Sequence, residues 1–265
     1  MSDIKKEQER EELHRAIWAI ADDLRGSVDG WDFKSYVLGT MFYRYISENL
    51  ANYINEGEWN AGNTDFDYAK MSDADAEEAR EGLIEEKGFF ILPSELFCNV
   101  RVRAPKDENL NETLERVFNH IEDSAKGSVS ENSFAGLFDD FDVNSNKLGA
   151  TVAKRNEKLV KLLEGIGDMN LGDVKQHDID AFGDAYEFLM GMYAQNAGKS
   201  GGEFFTPQEV SELLTKLSTV GKTSVKKIYD PACGSGSLLL KAIKVLGPDA
   251  VKVGYYGQEV EVTTY

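Results

Sequence analysis

Residues 227–240 read Lys227-Ile228-Tyr229-Asp230-Pro231-Ala232-Cys233-Gly234-Ser235-Gly236-Ser237-Leu238-Leu239-Leu240. A short apolar run enters an Asp-Pro step, a Gly-Ser-Gly turn follows, and an apolar stretch begins beyond it. This is the order of a strand, a tight glycine turn and a helix start. Glycine carries no side chain to hold a backbone away from a bound molecule, so the turn suits close approach to a cofactor. Working outward, residues 226–230, 236–246 and 253–259 are predicted as strand, helix and strand. That spacing predicts a right-handed crossover in a parallel sheet, with ligands at the carboxyl ends of the strands.

Upstream of the turn, residues 180–196 are predicted helical, with Phe182, Tyr186, Leu189, Met190 and Tyr193 on one side. A loop, Gly198-Lys199-Ser200-Gly201-Gly202, then leads into Glu203-Phe204-Phe205-Thr206-Pro207. Thr206 fits an N-cap and Pro207 a first helical position, opening a helix over 208–217.

Before about residue 175 the pattern is helical. Leu13, Ile17, Ile20 and Leu24 recur at helical spacing, and Gly26 is a stop. Residues 33–54 are rich in aromatic and aliphatic side chains; Val37, Met41, Tyr45 and Leu38, Phe42, Ile46 predict a wide apolar face central to a core. Residues 57–72 read as loop and 73–83 as helix. Pro93 marks another helix start, and Leu110, Leu114, Val117 and Ile121 an amphipathic helix. Residues 125–150, with islands at Phe134, Leu137, Phe138 and Phe141, read as loops and short helices. A helix over 152–163 should turn Val152, Leu159, Leu162 and Leu163 inward and end at Gly165-Ile166-Gly167-Asp168. No strand pattern, internal repeat or low-complexity tract precedes residue 175. The expected architecture is an all-helical domain, 1–170, followed by the beginning of an α/β domain with a parallel sheet, 171–265.

Composition narrows the functional classes. The net charge is −18, and residues 1–176 carry 21 Lys/Arg against 36 Asp/Glu, a balance of −15. Such a surface repels a phosphate backbone or an anionic membrane, which argues against nucleic acid as an independent partner. The two cysteines, Cys98 and Cys233, make no disulfide framework and point to a reducing cytosol, hence a cytoplasmic protein. The N-terminus is too polar for a signal peptide, and no apolar run approaches the ~20 residues that span a bilayer. His14, His120 and His177 are scattered without metal-ligand spacing.

Three features converge on the sheet edge: the turn at 230–237, the Phe-Thr-Pro segment, and Glu259 at the end of the next predicted strand. Glu259 lies 23 residues beyond Gly236, near the ~20 expected for a carboxylate that binds ribose hydroxyls. A dinucleotide fingerprint would need a third glycine, and Ser237, Leu238 and Leu239 follow Gly236 instead. Asp230 also sits where a pyrophosphate would bring negative charge. That carboxylate suits an ammonium or sulfonium group, and S-adenosyl-L-methionine has both, together with a ribose. The residues favour this methyl donor over a dinucleotide, which stays open as an alternative; a P-loop is excluded because no Gly-Lys-Ser/Thr follows the turn. Cys233 reads as a small packing residue in the turn rather than a nucleophile.

Asp-Pro-Ala-Cys-Gly-Ser-Gly-Ser (230–237) resembles motif I of the amino-type DNA methyltransferases, and Gly202-Glu203-Phe204-Phe205-Thr206-Pro207 resembles their motif X, in gamma-type order. Phe33-Lys34-Ser35-Tyr36-Val37-Leu38-Gly39, Arg44-Tyr45-Ile46-Ser47 and Ala185-Tyr186-Glu187-Phe188-Leu189 are similar to the modification (M) subunit of type I restriction–modification systems. The resemblance runs from about residue 10 to the end. It implies an N-terminal helical domain followed by a Rossmann-like methyltransferase domain, and site-specific adenine-N6 methylation of DNA with S-adenosyl-L-methionine. It implies a complex with a specificity subunit and a second M subunit, with the restriction subunit a further partner and double-stranded DNA held by the assembly. Glu203, Phe204, Phe205, Thr206, Pro207 and Gln208, with Ser235, Gly236 and Ser237, would line the methyl-donor site. Asp230, Pro231 and Gly234 would take the methionine end and Glu259 the ribose, with Phe205 and Thr206 packed on the cofactor. The family's catalytic Asn-Pro-Pro-Phe/Tyr motif, which grips a flipped adenine, is absent from these 265 residues. The expectation is therefore an N-terminal portion of a longer subunit, inactive alone and without catalytic or metal-binding residues. Its unfinished sheet should expose an edge and an apolar face, and favour self-association or partial disorder near residues 225–265.

Overall fold

The computed structural model describes residues 2–24, 30–169, 184–185, 188–189, 206, 208–234, 236–247 and 249–259. The chain divides into two compact units, Met1–Leu189 and Met190–Tyr265.

Every regular element among the described residues of the first unit is a helix. Its longer helices are α1 (Ser2–Leu24), α2 (Gly30–Asn60), α6 (Leu110–Ser124) and α8 (Val152–Asp168); α3 (Asp73–Glu78), α4 (Arg80–Lys87), α5 (Phe97–Arg103) and α7 (Glu131–Phe134) are short. Leu13, Ile17 and Ile20 of α1 and the 110/114/117/121 stripe of α6 are buried, as their spacing predicts. Helix α2 is central: Phe33, Tyr36, Val37, Thr40, Met41, Tyr43, Ile46, Ser47 and Leu50 are all buried. Tyr43 donates its hydroxyl to the Glu95 carbonyl at 2.5 Å and is met edge-on by Phe97 and Phe118. Phe118 stacks on Phe138 at 4.2 Å, and Phe141 meets Tyr36 and Phe118 edge-on, so the aromatic islands of 125–150 fill the core.

Polar side chains close the helix ends. Asn156 accepts from the Asn111 amide at 3.0 Å and donates to the Glu108 carbonyl, capping α6 from another helix. Arg44 donates to the carbonyls of Ile166 and Met169 at the end of α8. Asp184 pairs with Arg10 of α1 at 3.0 Å, and Phe188 stacks on His14 of α1 at 3.9 Å.

Several local expectations need correction. Helix α2 runs through Gly57 to Asn60; Asn55 is buried and accepts from the Tyr68 amide at 2.8 Å, while Glu56 and Asn60 are exposed. The predicted helix over 73–83 is broken at Ala79 into α3 and α4. Tyr45 and Val152 are each 41 % exposed rather than inward. Gly165 and Gly167 do not stop α8. A Cβ on Gly165 would stand 2.6 Å from Ile20 Cγ1, and one on Gly167 would strike the Arg101 guanidinium. Both glycines permit close packing inside a continuing helix. The predicted helix over 180–196 falls largely outside the described residues.

The second unit holds α9 (Gln208–Ser218), β1 (Val225–Asp230), α10 (Ser237–Leu246) and β2 (Val251–Gly257). The strands are parallel, with Ile228 opposite Tyr255, Tyr229 opposite Tyr256 and Asp230 opposite Gly257. The predicted strand–helix–strand crossover is therefore present. Among the described residues the sheet has these two strands, and Tyr229, Val253 and Tyr256 are exposed on it. No helix among the described residues is long and apolar enough to cross a membrane.

Candidate functional site

Hydrogen bonding between the strands continues past the sheet and shapes the turn. The Gln258 amide donates to the Asp230 carbonyl at 2.9 Å, and the Cys233 amide donates to the Gln258 carbonyl at 3.0 Å. One step further, the Gly234 amide donates to Glu259 Oε2 at 2.7 Å. Asp230 Oδ1 accepts from the Ala232 amide at 3.1 Å, the short local turn that aspartate favours. The Gly236 amide then returns to the Cys233 carbonyl at 2.8 Å, and α10 begins at Ser237.

Gly234 has φ +52° and Gly236 φ +77°. A Cβ on either would meet nothing within 4 Å. Glycine is needed there for the left-handed backbone, and the space above it stays open to a ligand. Gly257 has the opposite reason: a Cβ there would stand 2.6 Å from Cys233 Sγ. Cys233 is thus a half-buried packing residue of the turn, as its sequence context implied. Both cysteines are free. Burial pushes the Cys98 thiol up, away from thiolate chemistry.

The structure brings Asp230, Pro231, Gly234, Gly236 and Glu259 together at the carboxyl end of the sheet. Thr206 stands two residues before α9; Gln208 and Ser237 are the first residues of α9 and α10. Glu203, Phe204, Phe205, Pro207 and Ser235 lie outside the described residues. Sequence reasoning missed Gln258, whose backbone bonds both sides of the turn and whose Oε1 accepts from the Tyr229 hydroxyl at 2.6 Å. Its position between Gly257 and the acidic Glu259 was the available signal. Among the described residues no three His, Cys, Asp or Glu side chains gather as metal ligands.

The family model described as HsdM N-terminal domain matches residues 13–166, and that described as N-6 DNA Methylase matches residues 177–265. The chain belongs to the family of type I restriction–modification methylase subunits. It is 52 % identical to the type I restriction enzyme MpnII methylase subunit of Mycoplasma pneumoniae, over 98 % of this chain and 49 % of that protein. It is 25 % identical to the MjaIX methylase subunit of Methanocaldococcus jannaschii, over 96 % of this chain and 44 % of that one. The crystal structure of a type I restriction–modification system methyltransferase subunit from Streptococcus thermophilus superposes with a TM-score of 0.76 at 31 % identity, covering 97 % of this chain and 54 % of that one. The chain spans about half the length of the curated relatives it matches.

Proposed function

We propose that the sheet edge at 230–237 and 259 binds S-adenosyl-L-methionine as part of an adenine-N6 DNA methyltransferase. The observation that carries this reading is the turn itself, with two left-handed glycines open to a ligand and the Glu259 carboxylate, two residues past β2, bonded to the first of them. The cofactor would supply the methyl group. Asp230 and Gly234 would hold its ammonium-bearing end and Glu259 its ribose, while Glu203 to Gln208 and Ser235 to Ser237 line the site. Calorimetry should show S-adenosylhomocysteine binding and no NAD binding; the reverse preference would replace this reading with the dinucleotide one.

The sequence holds no Asn-Pro-Pro, so the 265-residue chain should not methylate DNA alone; adenine methylation by it would overturn that expectation. The helical residues 1–170 are proposed to dock a specificity subunit and a second methylase subunit, with the restriction subunit as a further partner, in the cytoplasm. Residues 171–265 would form the cofactor domain. The −15 balance of residues 1–176 supports docking over independent DNA binding. Isolated chain should therefore bind duplex DNA weakly and with strong salt dependence. Tight binding at physiological salt without partners would count against it.

A further inference from the structure

We infer that Glu259 is a positioning residue for the glycine turn in addition to its proposed ribose role, so that one carboxylate couples the two ends of the cofactor site. The inference rests on the methyl-donor reading above.

The backbone ladder between the strand ends reaches Cys233 and stops there. Gln258 provides both of its last two bonds, one to Asp230 and one from Cys233. Gly234 is the next residue and the first of the turn with a left-handed φ, +52°. Gly234 has no side chain of its own to brace it, and a Cβ there would meet nothing within 4 Å. What reaches its amide is a side chain from 25 residues away, Glu259 Oε2 at 2.7 Å. A carboxylate accepting from a partly buried amide is a charge-assisted bond, about twice as strong as a neutral one. Gly234 and Asp230 are assigned to the methionine end of the cofactor and Glu259 to the ribose end. Losing the carboxylate therefore disturbs both ends, although Glu259 would touch one of them.

Two variants separate this role from a ribose contact. Gln keeps a side-chain oxygen at the same reach, so Glu259→Gln should preserve the bond to Gly234; Glu259→Ala removes it. In the ligand-free 265-residue chain, amide hydrogen exchange at Gly234 should rise about tenfold in E259A, the ratio expected for one charge-assisted bond, and by a clearly smaller factor in E259Q, which keeps a neutral bond. Unchanged exchange at Gly234 in E259A overturns the inference. A second arm uses S-adenosylhomocysteine and its 2′,3′-dideoxy analogue. A carboxylate that acts on ribose hydroxyls alone leaves the analogue's affinity unaltered in E259A. A carboxylate that also holds the turn weakens the analogue about tenfold, with partial recovery in E259Q. If the parent chain binds neither compound, the methyl-donor reading fails while the exchange measurement still decides the role of Glu259.

Discussion

The two units treat their apolar side chains in opposite ways. In the helical unit most large hydrophobic residues of α2 and α6 point inward, Tyr45, Tyr53 and Trp59 excepted, and Tyr43, Met41, Leu50, Leu110, Leu114 and Ile121 are fully enclosed. In the second unit α9 is turned inside out. Its small residues Ser211 and Thr215 are buried, while Val210, Leu213, Leu214 and Leu217 face outward. Glu212 fastens it to α10 through Lys241 at 3.3 Å. The first unit is a closed core held by packing. The second is a frame held by backbone and polar links, with its apolar surface still uncovered among the described residues. The candidate site follows the same division, because the glycine turn belongs to the frame.

That contrast breaks if core and stripe respond alike to truncation. Leu114→Ala should cost about 2–5 kcal/mol in chemical denaturation of the helical unit, the usual range for emptying a packed leucine site. A smaller backbone effect is expected in the frame. Gly236→Ala should cost about 1–2 kcal/mol locally, because an alanine at φ +77° is strained whatever the space around it. Exchange of the turn amides would register it while the helical unit's unfolding midpoint stays put.

A third test sharpens the description of the closed core. Glu95 is buried, and desolvation raises its carboxyl above the usual value, partly opposed by its bond to His120 at 2.7 Å. A raised carboxyl favours the folded state in its protonated form. That contribution is full below about pH 4.5 and is lost as pH rises through the folded value. Glu95→Gln should therefore gain in unfolding midpoint relative to the parent as pH rises from 4 to 7; a gap that narrows would contradict the burial term. The smallest effect belongs to the stripe. Leu217 is 62 % exposed, so Leu217→Ser should change stability by less than ~0.5 kcal/mol. Light scattering should nonetheless show reduced self-association, since the exposed stripe adds apolar surface beside the open sheet that is expected to drive it.

The helices with a strict apolar period, α1 and α6, were legible in the sequence, and so were the crossover and its parallel pairing. The Thr206-Pro207 start identified a helix over 208–217 but not which face packs; in the structure this helix packs against α10, and Ser211 and Thr215 are its buried residues. Gly165 and Gly167 looked like a helix stop because local propensity cannot show that Ile20 and Arg101 need the room. In the site, Asp230, Gly234, Gly236 and Glu259 were readable from residue type and spacing. Gln258 and Gly257 were not, since their roles are a backbone bond across the turn and a missing Cβ beneath Cys233.

The link between Gly234 and Glu259 also bears on the order in which the site is built. A nascent chain completes 230–237 well before residues 258 and 259 emerge, so the turn lacks the groups that shape it until the crossover has been made. Its geometry is a property of two strand ends brought side by side. Residues 230–237 moved alone to another scaffold would carry their glycines without their conformation; a transplant would have to include residues 257–259 in parallel register.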